Sequence, residues 1–334
     1  MSCFIIAEIG VNHNGDKKLA IDLIDIAKKA GANAVKFQTF KSELLVTETA
    51  PTAQYQKKNT SEETQYKMLK KLELSHDCFK NIKKYCDEIK IEFISTPFDC
   101  ESAIFLDNIG VNTFKIGSGD LTNFPLLKKV ALTKKKIILS TGMSTFEEVE
   151  KSINYIKLNG NKNIVLLHCV SAYPTVNKDV NLKCIKTLSK LGLEVGFSDH
   201  TTDEYAAISA ISIGASYIEK HITLDNNLPG PDHKASLNPE KFIWFCKKIR
   251  DTEELLGDGI KRCMPSEIEN KKVARRSLAA SRDIKSGEII KEDMLISLRP
   301  DIGISAIHFE DIIGKICIND INQYNFLTYS NIKI

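Results

Sequence analysis

The sequence has no uninterrupted apolar run of membrane-spanning length, which excludes an ordinary transmembrane helix. Its opening, "MSCFIIAEIG", lacks the basic start and small-residue cleavage site of a secretory leader, so a cytoplasmic protein is expected. Cysteine occurs nine times but never as C-x-x-C, which argues against a zinc or iron–sulfur framework; an odd number of single thiols also argues against a disulfide scaffold. Charge of one sign is missing too. Lys+Arg number 46 against 43 Asp+Glu, a net of +3 spread along the chain, which gives neither a nucleic-acid surface nor a membrane-binding face. Arginine is scarce and concentrated from Arg250 onward. Any cationic function must therefore come from a few placed lysines.

What is present is ordinary globular material: 334 residues, 43% hydrophobic and 27% charged, more than one average domain and fewer than three. Eight short apolar runs alternate with longer segments. The runs are "FIIAEIG" (4–10), "AVKFQT" (34–39), "IEFIST" (91–96), "TFKIGSG" (113–119), "KIILSTG" (136–142), "NIVLLHC" (163–169), "LEVGFSDH" (193–200) and "SYIEKHI" (216–222). Between the first two, Leu19, Leu23, Ile26, Ala27 and Ala30 recur at helical spacing, with Gly31 as the stop. Ser144 and Glu147 have the spacing of a capping box. Asn238 and Pro239 open a last long helix that Gly257 ends. Eight strand–helix units predict an α/β fold, a (β/α)8 TIM barrel over residues 1–257, with a doubly wound sheet as second choice. Residues 258–277 read as a charged linker, and 278–334 as a small β-rich domain near the lower size limit for independent stability.

In such a barrel the C-terminal strand ends open on one face, where active sites lie. Here those ends carry Glu8, Lys36 and Gln38, Thr96, Lys115 and Ser118, Ser140, His168, Ser198 with Asp199 and His200, and Glu219 with Lys220 and His221. Strand side chains alternate, so Lys36 and Lys115 point into the mouth if their apolar neighbours face the helices. Two inward lysines with hydroxyls and the turn "GSGD" suit a multiply charged anion; the competing reading is a buried ion network with Glu8, Asp199 or Glu219. His200 and His221 end neighbouring strands roughly 4.8 Å apart, close enough to share a metal ion. Glu8, Asp199, Glu219 and Asp232 are nearby carboxylates, which would suit Mn2+ or Mg2+; His168 reads equally as a direct or an outer ligand. The rigid loop "LPGPDHKAS" displays Asp232 and His233 over the mouth or is a plain connection.

"AEIGVNHNGD", "KFQTF", "STPFD", "KIGSGD", "ILSTGM", "LLHC…YPT", "GFSDHT", "IEKHITLD", "PGPDHKAS" and "RPDIGIS" follow one another in this order. Together they closely resemble the sialic acid (nonulosonic acid) synthases, of the N-acetylneuraminate and N,N'-diacetyllegionaminate type. The resemblance runs from about residue 4 to the C-terminus. It implies a TIM barrel followed by an antifreeze-like (SAF) domain, in a homodimer that swaps its C-terminal domains. It also implies a transferase that joins phosphoenolpyruvate to an N-acetylated mannosamine-type sugar with Mn2+, or with Mg2+ or Co2+. Carried over by position, His200 and His221 resemble the metal ligands, and Lys36, Thr96, Lys115, Ser118, Ser140 and Ser198 the phosphoenolpyruvate cradle. Glu8, Gln38, Tyr173 and Asp232 resemble residues around the sugar and the water on the metal. Arg299 resembles the arginine lent to the partner subunit's site. Two departures stand out: Ser171 replaces an asparagine found in some relatives, and Phe37 and Phe40 stand where some sialic acid enzymes have histidines.

The expected chemistry is attack of C3 of phosphoenolpyruvate on the open-chain aldehyde, followed by C–O cleavage and phosphate release. Glu8 or a metal-bound water is the expected proton handler, Glu219 orients sugar or water, and Lys220 faces outward. Which sugar is used stays open between N-acetylmannosamine and 2,4-diacetamido-2,4,6-trideoxymannose. Alternatives are a pseudaminic acid synthase or other phosphoenolpyruvate–aldose synthase, a Schiff-base aldolase through Lys36 or Lys115, and a non-catalytic carbohydrate- or ice-binding protein.

Overall fold

Eight parallel strands close on themselves in sequence order in a computed structural model that describes residues 2–52 and 64–333. They are β1 (Phe4–Gly10), β2 (Ala34–Thr39), β3 (Glu92–Pro97), β4 (Thr113–Ile116), β5 (Lys136–Ser140), β6 (Ile164–Cys169), β7 (Glu194–Asp199) and β8 (Tyr217–His221). β8 pairs back onto β1, and helices follow every strand, so the fold is the expected TIM barrel. The strand runs end where the polar residues begin: "TFKIGSG" stops as β4 at Ile116 and turns into a short 3-10 helix, Ser118–Asp120.

The alternation of side chains builds two cores from one set of strands. Ile5, Ala7, Val35, Phe37, Phe93 and Phe114 face the helices and join the larger core. Ile6, Ala34, Ile94, Ile138, Leu167 and Tyr217 face the lumen and fill the barrel below its mouth. Each fully buried Ile, Leu or Phe side chain contributes roughly 1.5–3 kcal/mol relative to exposure, so both layers resist a slip of register. The helix Lys17–Ala30 buries Ala20, Leu23, Ile24 and Ala27, and the expected Leu19, Ile26 and Ala30 only flank that stripe. Asp16 caps its start and Gly31, at φ 85°, its end. The capping box lies one residue later than the sequence suggested. Ser144 Oγ instead donates to Gly142 O after a left-handed turn at Met143, leaving Thr145 and Glu148 to exchange the two cap bonds. The helix Pro239–Leu256 has Asn238 as its N-cap and Gly257 as its C-cap.

The chain divides into two compact units, Met1–Gly257 and Asp258–Ile334. The segment read as a linker belongs to the second unit and is not featureless. It holds a 3-10 turn (Pro265–Glu267) and a helix (Ile268–Ala274), although residues 258–276 are exposed throughout. The second unit then pairs β9 (Ser277–Ala280) with β10 (Leu295–Leu298), and β11 (Ile316–Cys317) with β12 (Ile332–Lys333), antiparallel. Leu278, Ile284, Ile290, Cys317 and Leu327 form its own small core. No helix among the described residues is long and apolar enough to cross a membrane.

β7 and β8 make one close approach. A Cβ at Gly196 of β7 would fall 2.4 Å from Tyr217 O, 2.5 Å from Tyr217 Cβ and 2.7 Å from Leu167 Cδ2. The missing side chain is what lets Tyr217 fill the lumen beside it. Gly196→Ala should therefore cost about 1–3 kcal/mol through overpacking, read as a lower Tm; an unchanged Tm would show that β7 and β8 tolerate separation there.

Candidate active site

β1 stands between β8 and β2, and the register sets Glu8 level with His221 on one side and Lys36 on the other. Lys36 Nζ lies 2.7 Å from Glu8 Oε2 and 3.8 Å from Glu219 Oε2, and donates to Thr96 Oγ1 at 3.3 Å. Gln38 Nε2 donates to Glu8 Oε1 at 3.1 Å. Lys115 is placed differently. Its Nζ donates to Ser140 Oγ at 2.5 Å and to the Ile116 carbonyl at 3.0 Å, and among the described residues no carboxylate forms an ion pair with it. The ion-network reading thus holds for Lys36 and fails for Lys115.

All four charged groups are withdrawn from water, and their proton affinities follow from that. Burial would lower Lys36, but Glu219 and Glu8 outweigh it and hold the ammonium above its ordinary value. Burial pushes Lys115 below its ordinary value, with Glu219 opposing only in part. Glu219 shows the converse: burial would raise it, yet Lys115 and Lys36 hold it down at about 2. Burial raises Glu8, and the Glu219 charge adds to the shift. The floor of the mouth is thus a charged cluster in which one cation, Lys115, is under-compensated.

Above the floor lies a collar of hydroxyls. Ser198 Oγ donates to Glu219 Oε1 at 2.9 Å, and Ser118 Oγ accepts from the Gly142 amide at 3.0 Å with Cys169 Sγ 3.1 Å away. Gly142 is needed here, because a Cβ would come within 2.5 Å of Ser171 Oγ and 2.8 Å of Ser118 Oγ. The two imidazoles face the same space with ring centres 5.5 Å apart, and Tyr173 lies 4.3 Å from the His200 ring and 5.9 Å from the His221 ring. His200 Nδ1 donates to Val170 O at 2.7 Å, which leaves the Nε2 lone pair toward the mouth. His221 Nδ1 is buried with no hydrogen-bond partner, and Asp232 Oδ2 is 3.9 Å from it. Burial holds both histidines below the ordinary value, His221 well below with His200 and Lys36 contributing, so both are neutral donors at pH 7. Among the described residues no three His, Cys, Asp or Glu converge as metal ligands, so this chain offers a pair.

One cavity of about 420 Å3, a size ordinary for a small-molecule site, collects the barrel residues carried over by resemblance as cradle, sugar or metal contacts, but neither Asp199 nor His168. Its rim is apolar on one side: Val11, Phe40, Met68 and Leu72 form a buried cluster with Leu45, Leu69 and Phe98 packed on it. Val11, Phe40 and Phe98 follow β1, β2 and β3, whereas the imidazoles come from β7 and β8.

Comparison with known proteins agrees with this arrangement. Residues 23–261 match the NeuB family and residues 275–332 match the SAF domain. The chain belongs to the NeuB family. It is 46% identical over 323 residues to the N,N'-diacetyllegionaminic acid synthase of Campylobacter jejuni, covering 96% of this chain and 97% of that one. To the enzyme of the same name from Legionella pneumophila it is 46% identical, covering 94% of this chain and 90% of the other. The crystal structure of the N-acetylneuraminic acid synthetase of Leptospira borgpetersenii, at 35% identity, superposes with a TM-score of 0.72 over 81% of this chain and 90% of that one. This NeuB-family chain is accordingly an enzyme of the transferase class, a nonulosonic acid synthase.

Within the NeuB barrel several sequence expectations need correction, and the parity of side chains along each strand is the reason. Asp199, expected among the metal carboxylates, has the parity of Phe197 and lies behind the strand, 2.8 Å from Lys220 Nζ. His168 shares parity with Leu166; its Nε2 bonds Val180 O at 2.7 Å and its ring stacks on Phe197, away from the mouth. Phe37 packs outward against Phe79 and Phe93, so of the two phenylalanines only Phe40 reaches the wall. Lys220 does face outward, but it is fully buried rather than solvated. His233 is an internal peg, bonded to Thr223 Oγ1 at 2.7 Å and Asn14 Oδ1 at 3.1 Å, and it seats the loop that carries Asp232. Arg299 is exposed on the second unit.

Sequence reasoning missed Cys169 and the hydrophobic residues contributed by the helix Gln65–Leu72. The amphipathic spacing of Met68, Leu69 and Leu72 was the available signal, and it says only that the face is buried.

The under-compensated Lys115 generates a direct test. A charge-assisted hydrogen bond is worth about 1.5–3 kcal/mol, so Lys115→Met should weaken inorganic phosphate binding by roughly 10–100-fold in calorimetry. Affinity equal to that of the unmodified protein would remove Lys115 from the anion site.

Proposed function

We propose that this chain condenses phosphoenolpyruvate with open-chain 2,4-diacetamido-2,4,6-trideoxymannose, giving N,N'-diacetyllegionaminate and phosphate. The observation that carries the reading is a single cavity that joins a buried ammonium, Lys115, with no carboxylate ion-pair partner among the described residues, to an apolar wall at the rim. The ammonium and the hydroxyls of Ser118, Ser140, Ser198 and Thr96 suit the carboxylate and phosphate of phosphoenolpyruvate. The wall suits a 6-methyl group; the 6-hydroxyl of N-acetylmannosamine would lose its hydrogen bonds against it. The 46% identity to two enzymes named for this product supports the same choice, against 34% to a pseudaminic acid synthase of Campylobacter jejuni. A phosphorylated sugar would need cations at the rim, and among the described lining residues the cations are Lys36 and Lys115 on the floor. A cytoplasmic location fits enzymes that draw on phosphoenolpyruvate.

In this reading the enol π pair of phosphoenolpyruvate forms a bond from C3 to the aldehyde carbon, leaving a cation at C2. Water adds at C2 and loses a proton. The resulting tetrahedral adduct breaks its C2–O bond to phosphate, which leaves with the electron pair and takes up the proton of the C2 hydroxyl as that becomes the ketone. Lys36 and Lys115 hold the anionic reactant in place before encounter, so its loss of translational freedom is met by binding and not at the barrier. Burial raises the proton affinity of Glu8, and burial together with the Glu8 charge raises Asp232 to about 7; these two carboxyls of the mouth are the proton carriers in this reading. They take the proton released by water and supply the one the new alkoxide needs. Gln38 and Tyr173 orient the sugar.

Mn2+, with Mg2+ or Co2+ as substitutes, fits His200 and His221: both rings are neutral, one has its far nitrogen fixed by a backbone carbonyl, and the other has a buried nitrogen without a partner. Such an ion, when bound, would supply Lewis acidity toward the aldehyde oxygen. The remaining feature is a homodimer in which Arg299 of a second copy completes the sugar site, a reading supported by the SAF match and by the resemblance at "RPDIGIS". Mixing Arg299→Ala with a Lys115→Met chain should then restore activity that neither has alone; no recovery would argue against sharing.

The deciding assay is phosphate release from phosphoenolpyruvate with Mn2+. The trideoxy sugar and N-acetylmannosamine are offered separately, each with and without EDTA. Release with the trideoxy sugar, at least tenfold faster than with N-acetylmannosamine and abolished by chelation, is expected. A preference for N-acetylmannosamine would reassign the product to N-acetylneuraminate. Release indifferent to EDTA, with a borohydride-trapped adduct, would move the chemistry to a Schiff base on a lysine.

A further inference from the structure

The residue immediately before each imidazole is charged, and the two charges meet behind the sheet. Asp199 and Lys220 are register partners on β7 and β8, just ahead of His200 and His221. Lys220 Nζ donates to Asp199 Oδ2 at 2.8 Å, to Thr201 O at 2.7 Å and to Asp203 O at 3.1 Å, which uses all three ammonium hydrogens. Asp199 Oδ1 in turn accepts from the Thr201 amide at 2.8 Å and the Thr201 hydroxyl at 2.7 Å. Both side chains are essentially inaccessible, at 1% and 0% exposure, and the ammonium sits 5.6 Å from the centre of the Phe245 ring.

A buried ion pair is a poor way to gain stability, since apolar residues of similar volume usually serve as well or better. What this pair does that apolar residues cannot is hold the backbone on both sides of His200. Lys220 grips the loop at Thr201 and Asp203, Asp199 closes the turn at Thr201, and the Thr175 amide donates to His200 O at 2.8 Å. The same Lys220 is one residue from His221, so one ammonium ties the β7 loop to the β8 end. We propose that the Asp199–Lys220 pair is a positioning device that fixes the spacing of the His200 and His221 imidazoles and thereby sets the affinity of the site for a divalent cation. Neither side chain lines the cavity, and among the described residues no side chain of the proposed phosphoenolpyruvate cradle hydrogen-bonds to the pair. This inference rests on the reading that the two histidines hold a metal.

The test compares the unmodified full-length protein with Lys220→Met, Lys220→Arg and the double variant Asp199→Leu/Lys220→Met, the last removing both charges so that neither is left buried alone. Mn2+ affinity is measured by electron paramagnetic resonance of the free ion, and phosphoenolpyruvate affinity by calorimetry without metal. The expected result is a 10–100-fold loss of Mn2+ affinity in Lys220→Met and in the double variant. Lys220→Arg should recover part of it, and phosphoenolpyruvate affinity should change less than twofold throughout. A merely structural pair would lower Tm and leave the Mn2+ affinity of the folded protein unchanged, and that outcome overturns the proposal. If Lys220→Met does not fold, the double variant decides: Mn2+ binding equal to that of the unmodified protein overturns it. Failure of the unmodified protein to bind Mn2+ is a separate result, and it overturns the inference together with the reading beneath it.

Discussion

Glu8, Lys36 and His221 stand at one level because three neighbouring strands share a hydrogen-bonded register, and the rest of the site follows from that alignment. Four ionisable groups on the floor have almost no contact with water. Such groups stay charged only when each has an opposite charge or donors close by. The pairing of Lys36 with Glu8 and Glu219 depends on side chains from β1, β2 and β8 reaching the same height. A slip of one residue would replace Glu8 with Ala7 or Ile9 and turn the carboxylate into the apolar layer under the helices. The two hydrophobic cores, one on each face of the same strands, are what make that slip prohibitive.

The barrel thereby separates two kinds of environment within one cavity. Its floor is rich in fixed charge and hydroxyl donors; its rim on the β1–β3 side is hydrocarbon. A ligand with an anionic end and a less polar end can bind in one direction only. Fixed donors at the floor need no rearrangement when charge moves during reaction, which is where preorganised sites gain most over water. Side-chain parity also keeps the outward face of the same strand ends free for structural work, and the Asp199–Lys220 pair occupies it.

Much of this could be read from the sequence because barrel strands are short and their C-terminal ends abruptly polar. β1 and β2 begin and end where the apolar runs do, and the inward aim of Lys36 and Lys115 follows from counting by twos from Phe37 and Phe114. The same count was available for His168 and Asp199 and excludes both from the mouth; reading them as ligand candidates gave residue type more weight than parity. Of the apolar wall only Phe40 was legible. Met68 and Leu72 lie 29 and 33 residues beyond the end of β2 at Thr39, in a helix whose spacing looks like any other core face, and only the folded chain shows what that face covers. The second unit gave a weaker signal still, since its strands are too short for periodicity to separate them from turns.

Lys115 is the point at which stability and function pull apart. A carboxylate beside it would lower the cost of burying its charge, and Glu219 is near enough to feel it: Lys115 is the strongest of the charges that hold Glu219 at about 2. Yet among the described residues no carboxylate completes an ion pair with Lys115, and burial depresses its proton affinity. The free protein therefore retains an under-compensated cation, held by one hydroxyl and one carbonyl. A bound anion relieves that cost and gains the charge-assisted bonds as well, so ligand binding and folding are coupled through this one ammonium. Lys36, already paired with Glu8, can contribute much less of this kind. The two lysines share a residue type and an inward aim, but only one of them has its counter-charge left for a ligand to supply.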